Sequence, residues 1–328
     1  RLTKVSLRWP AEFNFAYDVA DEMARQAPEQ VAMVWCDPNG AEATFSFSEL
    51  ARGSDRVARV FWQAGIRPGD RVMVALKRHY EYWFVALALH KLGAVLVPVT
   101  HMLTAEDIAY RLDCAPMKAL VCTPQNEVPR HVLDAVAGRT EQPLLWTVRE
   151  TVPGFRNLTE EARREPAAFA RIATRAEDPM LMYFTSGTTG RSKGVMLSEK
   201  NFFSVMRAHT QIGEHMMEYK HEPDLVMSQY TVLPMFHLGA FICLFSWAHA
   251  GWALNVSSDI RNFYKEVKRM PSQAMAVVPV IMNSLHHDVM RGRKERLGEL
   301  WVPICSSAMF DPQVMLDMAE HGMFVVQT

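Results

Sequence analysis

Residues 183–195 read YFTSGTTGRSKGV and combine serines, threonines and glycines with a single lysine. Glycines let a turn expose its backbone N–H groups, and the hydroxyls and the Lys193 ammonium add further hydrogen-bond donors. This composition favours a loop that binds phosphate. A flexible surface turn is the alternative that composition alone leaves open.

The spacing of the glycines separates this stretch from two other nucleotide-binding loops. Gly187, Gly190, Lys193 and Gly194 follow the pattern G-x-x-G-x-x-K-G, whereas a Walker A loop needs G-x-x-x-x-G-K-[ST]. The stretch also lacks G-x-G-x-x-G, so a dinucleotide-binding fold has no support.

Short apolar strands alternate with helical patterns on both sides of the loop. RVMVAL (71–76) and AVLVPV (94–99) read as strands, and residues 80–93 between them read as a helix. Thr104 is predicted to cap the next helix, with Asp107 three residues later. The remaining predicted strands are 118–122, 143–148, 180–185, 224–234, 252–256, 274–278, 300–305 and 323–327. The remaining predicted helices are 48–65, 127–138, 199–217, 238–250, 259–270, 280–291 and 311–321.

This alternation predicts an α/β fold with two doubly wound lobes, each with a mainly parallel sheet covered by helices. The length of 328 residues fits two domains of about 150 residues each. Residues 156–179 are charged and weakly patterned, and we interpret them as a surface connection. We therefore place the first lobe at residues 1–176 and the second, with the glycine-rich loop, at 177–328.

The composition disfavours several function classes. Lys plus Arg total 35 against 36 for Asp plus Glu, so charge gives no general reason to expect nucleic acid as a partner. The apolar segment 237–256 contains glycines and histidines and lacks basic flanks, and we interpret it as a buried helix and strand, with no integral membrane span. Five cysteines without a C-x-x-C pair indicate reduced thiols and a cytoplasmic location. The oligomeric state is not indicated.

The sequence offers no motif for a protein-bound transition metal. It contains no H-E-x-x-H and no Cys/His cluster, and His209, His215 and His221 recur every six residues, which does not place them on one helix face. We therefore predict no metal site formed by protein side chains alone.

YFTSGTTGRSKGV resembles the signature loop of the adenylate-forming superfamily, the AMP-dependent synthetases and ligases that include acyl-CoA synthetases, luciferases and peptide-synthetase adenylation domains. That signature usually ends in P-K-G, and this chain has Ser192 in place of the proline. The similarity extends over most of the chain, from about residue 13. Further similar segments are 89–99, 103–112, 231–241, 277–285 and 301–310, the last of which stands where the family has G-G-A-P-L.

The resemblance implies the large N-terminal domain of the acyl-CoA synthetase fold and a two-step reaction. A carboxylate attacks the α-phosphate of Mg-ATP to form an acyl-adenylate and pyrophosphate, and the thiol of coenzyme A then displaces AMP. Magnesium arrives with ATP, so no separate metal site is implied. The resemblance assigns phosphate binding to Thr185, Ser186, Gly187, Thr188, Thr189, Gly190 and Lys193. It assigns the lining of the nucleotide and acyl pocket to Ser306, Ser307 and Ala308.

The segment TVLPMFHLGAF (231–241) resembles the family's substrate-pocket segment and implies an acyl pocket formed by Phe236, His237, Leu238 and Gly239. Amino-acid-activating members have F-D-x-S there, and the aspartate pairs with the substrate ammonium. This chain has no such carboxylate, so a plain carboxylic acid, fatty or related, is favoured. Residues 12–24 and 103–112 are most similar to the medium-chain acyl-CoA synthetases.

Family members continue with Y-G-x-T-E and with a small C-terminal domain that carries the catalytic lysine. We therefore expect these 328 residues to be an N-terminal fragment without that lysine, with weak ATP binding and negligible turnover by itself. Two alternatives stay open. One is an acyl-AMP ligase that loads a carrier protein, and the other is a non-enzymatic relative that binds a nucleotide or an acyl group.

Overall fold

The computed structural model describes residues 8–37, 39–185, 191–220, 226–248, 251–257, 259–305 and 310–327. Within these ranges the chain forms two compact α/β units, each built around its own sheet. In chain order the strands are β1 (Val31–Cys36), β2 (Glu42–Ser46), β3 (Arg71–Ala75), β4 (Val95–Pro98), β5 (Ala119–Cys122), β6 (Leu144–Thr147), β7 (Arg156–Asn157), β8 (Pro179–Thr185), β9 (Lys193–Ser198), β10 (Ser228–Thr231), β11 (Ala253–Val256), β12 (Ala274–Val277), β13 (Val302–Cys305) and β14 (Val326–Gln327).

The helices surround these strands. They are α1 (Glu22–Gln26), α2 (Phe47–Gln63), α3 (Glu81–Lys91), α4 (Ala105–Cys114), α5 (Val128–Val136), α6 (Leu158–Arg164), α7 (Glu199–Lys220), α8 (Leu238–Ile242), α9 (Phe245–Ala248), α10 (Phe263–Arg269), α11 (Pro279–Met290) and α12 (Pro312–Glu320). A π-helical turn (Ala16–Asp21) leads into α1, and short 3-10 turns lie at Ile260–Asn262 and Lys294–Leu297.

Unit 1 comprises Arg1–Gln26, Ser48–Arg207 and Met235–His237. Its sheet has the strand order β7-β6-β5-β3-β4-β8-β9, in which β8 and β9 are antiparallel and the other neighbours are parallel. The order runs outward in both directions from β3 and β4, which is the switch point of a doubly wound sheet. Strands β4 and β5 are buried over their whole length, as expected when helices cover both faces.

Unit 2 comprises Ala27–Phe47, Ala208–Pro234 and Leu238–Thr328. Its sheet has the order β14-β13-β12-β10-β11-β1-β2, in which only the edge pair β1 and β2 is antiparallel among the described residues. The hairpin of β1 and β2 thus pairs with β11, which follows more than 200 residues later in the chain, as Met33 lies opposite Leu254. The Trp247 indole N–H donates to the Ala32 carbonyl oxygen at 2.9 Å and fixes α9 against this hairpin.

The α/β fold with two mainly parallel, helix-covered sheets is confirmed, but the units divide the chain differently from the predicted boundary at residue 176. Strand β8 pairs with β4 through Leu96 and Leu181, so the strand before the glycine-rich loop belongs to the sheet of unit 1. The early hairpin of β1 and β2 belongs to unit 2. Strands β1 and β2 were not predicted, whereas β8 was predicted without its hydrogen-bond partner, because a local apolar pattern can indicate a strand but does not identify the strand with which it pairs.

Local predictions agree more closely with the structure. Thr104 accepts a hydrogen bond from the Asp107 N–H, and Asp107 accepts one from the Thr104 N–H, which confirms the capping box at α4. The segment 156–179 is not only a connection, because it contains β7 and α6.

Four of the five cysteines are buried, Cys114 is exposed, and all five are free thiols. Across the part of the chain that the structure describes, no helix has both the length and the apolar character needed to cross a membrane.

The N-terminal segment of unit 1 packs against the first turns of α7. Phe13 and Phe15 form edge-to-face contacts with Phe203 and Phe202, at centroid distances of 4.8 and 4.9 Å. Between these aromatic rings the Glu199 carboxylate accepts a hydrogen bond from the Phe15 N–H at 3.1 Å. Burial raises the pKa of the Glu199 carboxyl from 4.5 to about 8, with a further upward contribution from Asp18 and Asp178. The acid therefore stays protonated at neutral pH in the folded chain.

We expect the free energy of unfolding to fall as the pH rises from about 5 to about 8, because the folded state holds the Glu199 proton over a range in which the unfolded state has lost it. The Glu199→Gln variant keeps an acceptor for the Phe15 N–H and cannot ionise, so its stability should exceed that of the parent at pH 8 by an amount on the order of 2–5 kcal/mol. Urea denaturation at pH 5, 7 and 9 measures the difference. Glu214→Gln, at an exposed position of the same helix, is the control. Identical pH slopes for the two variants would contradict the prediction.

Candidate functional site

The glycine-rich loop connects two antiparallel strands of unit 1. The pairing of β8 with β9 places Thr185 opposite Lys193, Phe184 opposite Gly194 and Tyr183 opposite Val195. The sequence predicted β8, the strand before the loop, but not β9. The first four residues of β9 are all exposed, so β9 lacks the alternation of buried and exposed residues that indicates a strand. Since β8 is parallel to β4, the loop begins at the carboxyl end of a parallel strand, where ligands of α/β sheets bind.

The structure brings together the two predicted phosphate-binding residues that flank the loop. Thr185 and Lys193 are direct partners in the last register pair of the hairpin, and both are exposed. The other predicted phosphate-binding residues lie outside the described part of the chain: Ser186, Gly187, Thr188, Thr189 and Gly190.

Lys193 provides an available positive charge at the mouth of the loop. Its ammonium group has no hydrogen-bond or ion-pair partner among the residues that the structure describes. An exposed lysine without a carboxylate partner retains its three N–H donors for a ligand. Such an ammonium group can donate charge-assisted hydrogen bonds to an anionic ligand.

Gly194 follows Lys193 and faces the end of the Met182 side chain within the hairpin. A Cβ atom built at this position would lie 2.1 Å from the Met182 Cε atom, far inside van der Waals contact. Met182 is a buried side chain of β8 that packs into the core of unit 1. The absence of a side chain at Gly194 thus lets Met182 cross beneath β9, which keeps the strand after Lys193 close to the sheet.

The predicted acyl-pocket segment follows β10. Phe236, Leu238 and Gly239 are half-buried and His237 is exposed, and the segment leads directly into α8. Behind the start of α8, the Cys243 thiol donates to the Gly239 carbonyl oxygen at 3.3 Å and also contacts the Thr231 hydroxyl at 3.4 Å. These contacts join the end of β10 to α8 and fix the conformation of the segment from Gly239 onward.

The third predicted segment, Ser306, Ser307 and Ala308, lies outside the described residues. It follows β13, which ends at the buried Cys305, and it precedes α12, whose first turn is capped by the Asp311 carboxylate through the Gln313 N–H at 2.9 Å. Strands β10, β12 and β13 are adjacent and parallel. The chain therefore leaves β10 and β13 at the same edge of the sheet of unit 2, which is the edge at which such sheets bind ligands.

The carboxyl edge of the sheet in unit 1 contains a group of polar side chains that the sequence did not single out. His79 follows β3 and its Nε2 atom lies 3.0 Å from the hydroxyl of Thr123, which follows β5. Burial lowers the pKa of His79 to about 4, with smaller contributions from Arg149, Lys77 and His101. This histidine is therefore neutral at physiological pH. A signal was present in the sequence, because His79 and His101 follow two adjacent predicted strands.

Among the residues described, no group of three or more His, Cys, Asp or Glu side chains has the arrangement needed to hold a metal ion.

We expect Gly194→Ala to destabilise unit 1 by only about 0.5–1.5 kcal/mol, because the new methyl group displaces the terminal Cε methyl of Met182, a flexible side chain that can move to another rotamer. Met182→Ala opens space beneath Gly194, so the double variant should be less destabilised than the sum of the two single variants. Chemical denaturation of the four proteins measures the coupling energy. Simple additivity would show that the contact between Met182 and position 194 does not limit the hairpin.

Comparisons with known proteins identify the family of the chain. The family model described as AMP-binding enzyme matches residues 20–328. Acyl-coenzyme A synthetase ACSM5, mitochondrial, from Homo sapiens is 36% identical over 201 residues, which cover 59% of this chain and 34% of that protein. Acyl-coenzyme A synthetase ACSM3, mitochondrial, from Mus musculus is 35% identical over 201 residues with the same coverage. The matched part of the chain thus spans about a third of the length of these relatives.

Solved structures share the fold. The luciferase-like enzyme of the mealworm Zophobas morio has a TM-score of 0.81 at 15% identity and covers 100% of this chain and 75% of that one. The anthranilate CoA ligase AuaEII in complex with anthranoyl-AMP has a TM-score of 0.78 at 15% identity, with coverage of 97% and 59%. The N-terminal domain of FACL13 from Mycobacterium tuberculosis has a TM-score of 0.72 at 21% identity, with coverage of 96% and 75%. At these identities the likeness establishes the fold alone.

Proposed function

The chain belongs to the AMP-binding enzyme family, within the adenylate-forming superfamily, and from this premise we propose that it provides the nucleotide-binding and acid-binding part of an acyl-CoA synthetase. The observation that carries the proposal is the exposed Lys193, which lies directly opposite Thr185 at the end of the glycine-rich loop and has no ion-pair partner among the residues that the structure describes. Because the chain belongs to this family, we propose that the ligand of the Lys193 ammonium group is the phosphate chain of ATP.

In the proposed first step, the carboxylate oxygen of the acid forms a bond to the α-phosphorus of Mg-ATP as the bond to the bridging oxygen of pyrophosphate breaks. The products are an acyl-adenylate and Mg-pyrophosphate. Lys193 and Thr185 donate hydrogen bonds to phosphate oxygens and stabilise the charge that the pyrophosphate gains as it leaves. We propose the same phosphate-binding role for Ser186, Gly187, Thr188, Thr189 and Gly190.

The substrate in this proposal is a plain carboxylic acid. Phe236, Leu238 and Gly239 offer half-buried apolar surface, and the segment holds no carboxylate that would pair with a substrate ammonium. An uncompensated ammonium would be unfavourable in such a pocket, which disfavours an amino acid. We assign the acyl pocket to Phe236, His237, Leu238 and Gly239, and the adjoining nucleotide contacts to Ser306, Ser307 and Ala308.

Coenzyme A is the acceptor that we propose for the second step, in which its thiolate attacks the acyl carbonyl carbon and AMP leaves. The printed names of the relatives, acyl-coenzyme A synthetases, favour coenzyme A over a carrier protein. Those names also say mitochondrial, whereas the cysteine content of this chain predicted a cytoplasmic location, and that expectation stays a prediction.

We expect Lys193→Met to weaken the binding of Mg-ATP by about 10- to 100-fold, which corresponds to the loss of one charge-assisted hydrogen bond of about 1.5–3 kcal/mol. Isothermal titration with Mg-ATP measures the change. Lys118→Met is the matched control, because Lys118 is exposed in the same unit but precedes β5, at the opposite edge of the sheet. Equal affinities of the parent and Lys193→Met would refute the role of Lys193.

We expect pyrophosphate release in the presence of Mg-ATP to depend on a plain carboxylic acid and not on an amino acid. A panel of straight-chain, branched and aromatic acids, with the corresponding amino acids as controls, tests this expectation on the purified chain and on any longer product of the same gene. Coenzyme A-dependent release of AMP distinguishes a synthetase from an acyl-AMP ligase.

The expectation that the 328 residues alone turn over slowly stays a prediction, which the same assay checks. Binding of ATP without acid-dependent pyrophosphate release by the chain and by any longer product of its gene would favour a non-enzymatic relative.

A further inference from the structure

A long-range hydrogen bond attaches the residue after the glycine-rich loop to α4. The Tyr110 hydroxyl donates to the Ser192 carbonyl oxygen at 2.9 Å, across 82 residues of sequence. Ser192 directly precedes Lys193, so this bond holds the backbone on the side from which the loop enters β9. The sequence analysis placed Tyr110 in the family-like segment 103–112 but assigned it no role.

The same tyrosine also contacts the residue before Ser192. The Arg191 guanidinium carbon lies 5.1 Å from the centroid of the Tyr110 ring, within the range of a cation–π interaction. One side chain thus engages two consecutive residues, Arg191 through its side chain and Ser192 through its backbone.

The helix that carries Tyr110 contacts the other strand of the hairpin as well. The Arg111 guanidinium carbon lies 5.2 Å from the centroid of the Phe184 ring, and Phe184 is the register partner of Gly194 in β8. Tyr110 and Arg111 are neighbours in α4, so consecutive residues of one helix contact both sides of the hairpin that carries the loop.

Helix α4 is itself a rigid support. Its first turn is closed by the capping box of Thr104 and Asp107, and Ile108 and Leu112 are buried in the core of unit 1. At its second half, the Arg139 guanidinium donates to the Ala109 carbonyl oxygen at 3.0 Å and to the Asp113 carboxylate at 2.8 Å. These contacts leave α4 little freedom to follow a movement of the loop.

Apolar packing does not substitute for the hydrogen bond at this place. A cavity of about 520 Å³ lies beside the contact and is lined by Glu106, Asp107, Tyr110, Arg191 and Ser192 among others. Because this space is open and polar, the conformation of Arg191 and Ser192 depends on a few directed contacts. Among the described residues, the hydrogen bond from Tyr110 is the only one to the backbone of Ser192.

We propose that Tyr110 is a positioning residue for the phosphate-binding loop. It holds Ser192 and Arg191 against α4 and thereby keeps Lys193 directed at the bound phosphate. The proposal rests on the proposed function for its ligand, Mg-ATP, but the contact itself is independent of that ligand. Tyr110 acts through Ser192 and Lys193 and has no contact with the reacting atoms.

Limited proteolysis with trypsin tests the contact directly, because Arg191 is an exposed trypsin site at the end of the loop. Tyr110→Phe keeps the ring over Arg191 and removes the hydroxyl donor. We expect cleavage after Arg191 to become about fivefold faster, the population change that corresponds to one neutral hydrogen bond. Cleavage after Arg175, which is also exposed, provides the internal reference and should not change.

Thr104→Ala is the matched control, because it removes the cap of α4 and leaves the Tyr110 hydroxyl in place. Unchanged cleavage after Arg191 in Tyr110→Phe would overturn the proposal. Equal acceleration by Thr104→Ala would also overturn it, since helix stability and not the hydroxyl would then control the loop.

Mg-ATP separates the positioning role from the proposed function. We expect Mg-ATP to protect the parent from cleavage after Arg191, and Tyr110→Phe to need about fivefold more Mg-ATP for half-maximal protection at an unchanged melting temperature. Protection at the same concentration in both proteins would overturn the positioning role and leave the proposed function intact. A parent that Mg-ATP does not protect, and that does not bind it by titration, would refute the proposed function and the positioning role with it.

Discussion

The antiparallel pairing of β8 with β9 is the interaction on which the candidate site depends. It brings the chain back beside itself after the glycine-rich loop and places Lys193 opposite Thr185. The pairing brings Gly194 so close to Met182 that a side chain at position 194 would displace the end of the Met182 side chain. Because β8 also pairs with β4 in the parallel part of the sheet, the loop has a fixed position at the carboxyl edge of unit 1. The exposed cation at the mouth of the loop follows from this sheet geometry.

Buried polar groups hold the N-terminal segment in its place in the same unit. The fully buried Lys91 ammonium pairs with Asp55 at 2.6 Å and with Asp21 at 2.9 Å, and so joins α2, α3 and the turn at Ala16–Asp21. Removal of one partner from such a buried pair typically costs about 3–5 kcal/mol, because the other charge stays buried without compensation. Glu199 avoids an uncompensated buried charge in another way. Its carboxyl group stays protonated and accepts a hydrogen bond from the Phe15 N–H. The segment that begins the unit is thus positioned by directed polar contacts as well as by its aromatic side chains.

Most of the helices and strands were predictable because their signals are local. The buried strands β3, β4, β5 and β12 are apolar runs, and the cap of α4 follows from Thr104 and Asp107. Among the strands that were not predicted, β1 is an apolar run (VAMVWC) whose local signal was overlooked, whereas β9 lacks such a signal. Strand β9 is largely exposed, and its residues Lys193 and Gly194 read as part of a loop. The predicted helix at 238–250 forms two short helices, α8 and α9, instead of one.

The sequence by itself determined the α/β class, because periodicity is a property of neighbouring residues, and the resemblance of its segments to known proteins indicated the family. The phosphate-binding chemistry of the loop is a prediction from the same sequence. Only the tertiary structure decided which sheet each strand joins. It placed β8 in unit 1 and the hairpin of β1 and β2 in unit 2, through pairings between residues that are far apart in the chain. It also disclosed Tyr110 beside Ser192 and Glu199 beside Phe15. A hydrogen bond between residues that are far apart in sequence depends on how the chain folds back on itself. The local sequence pattern around either residue therefore does not predict it.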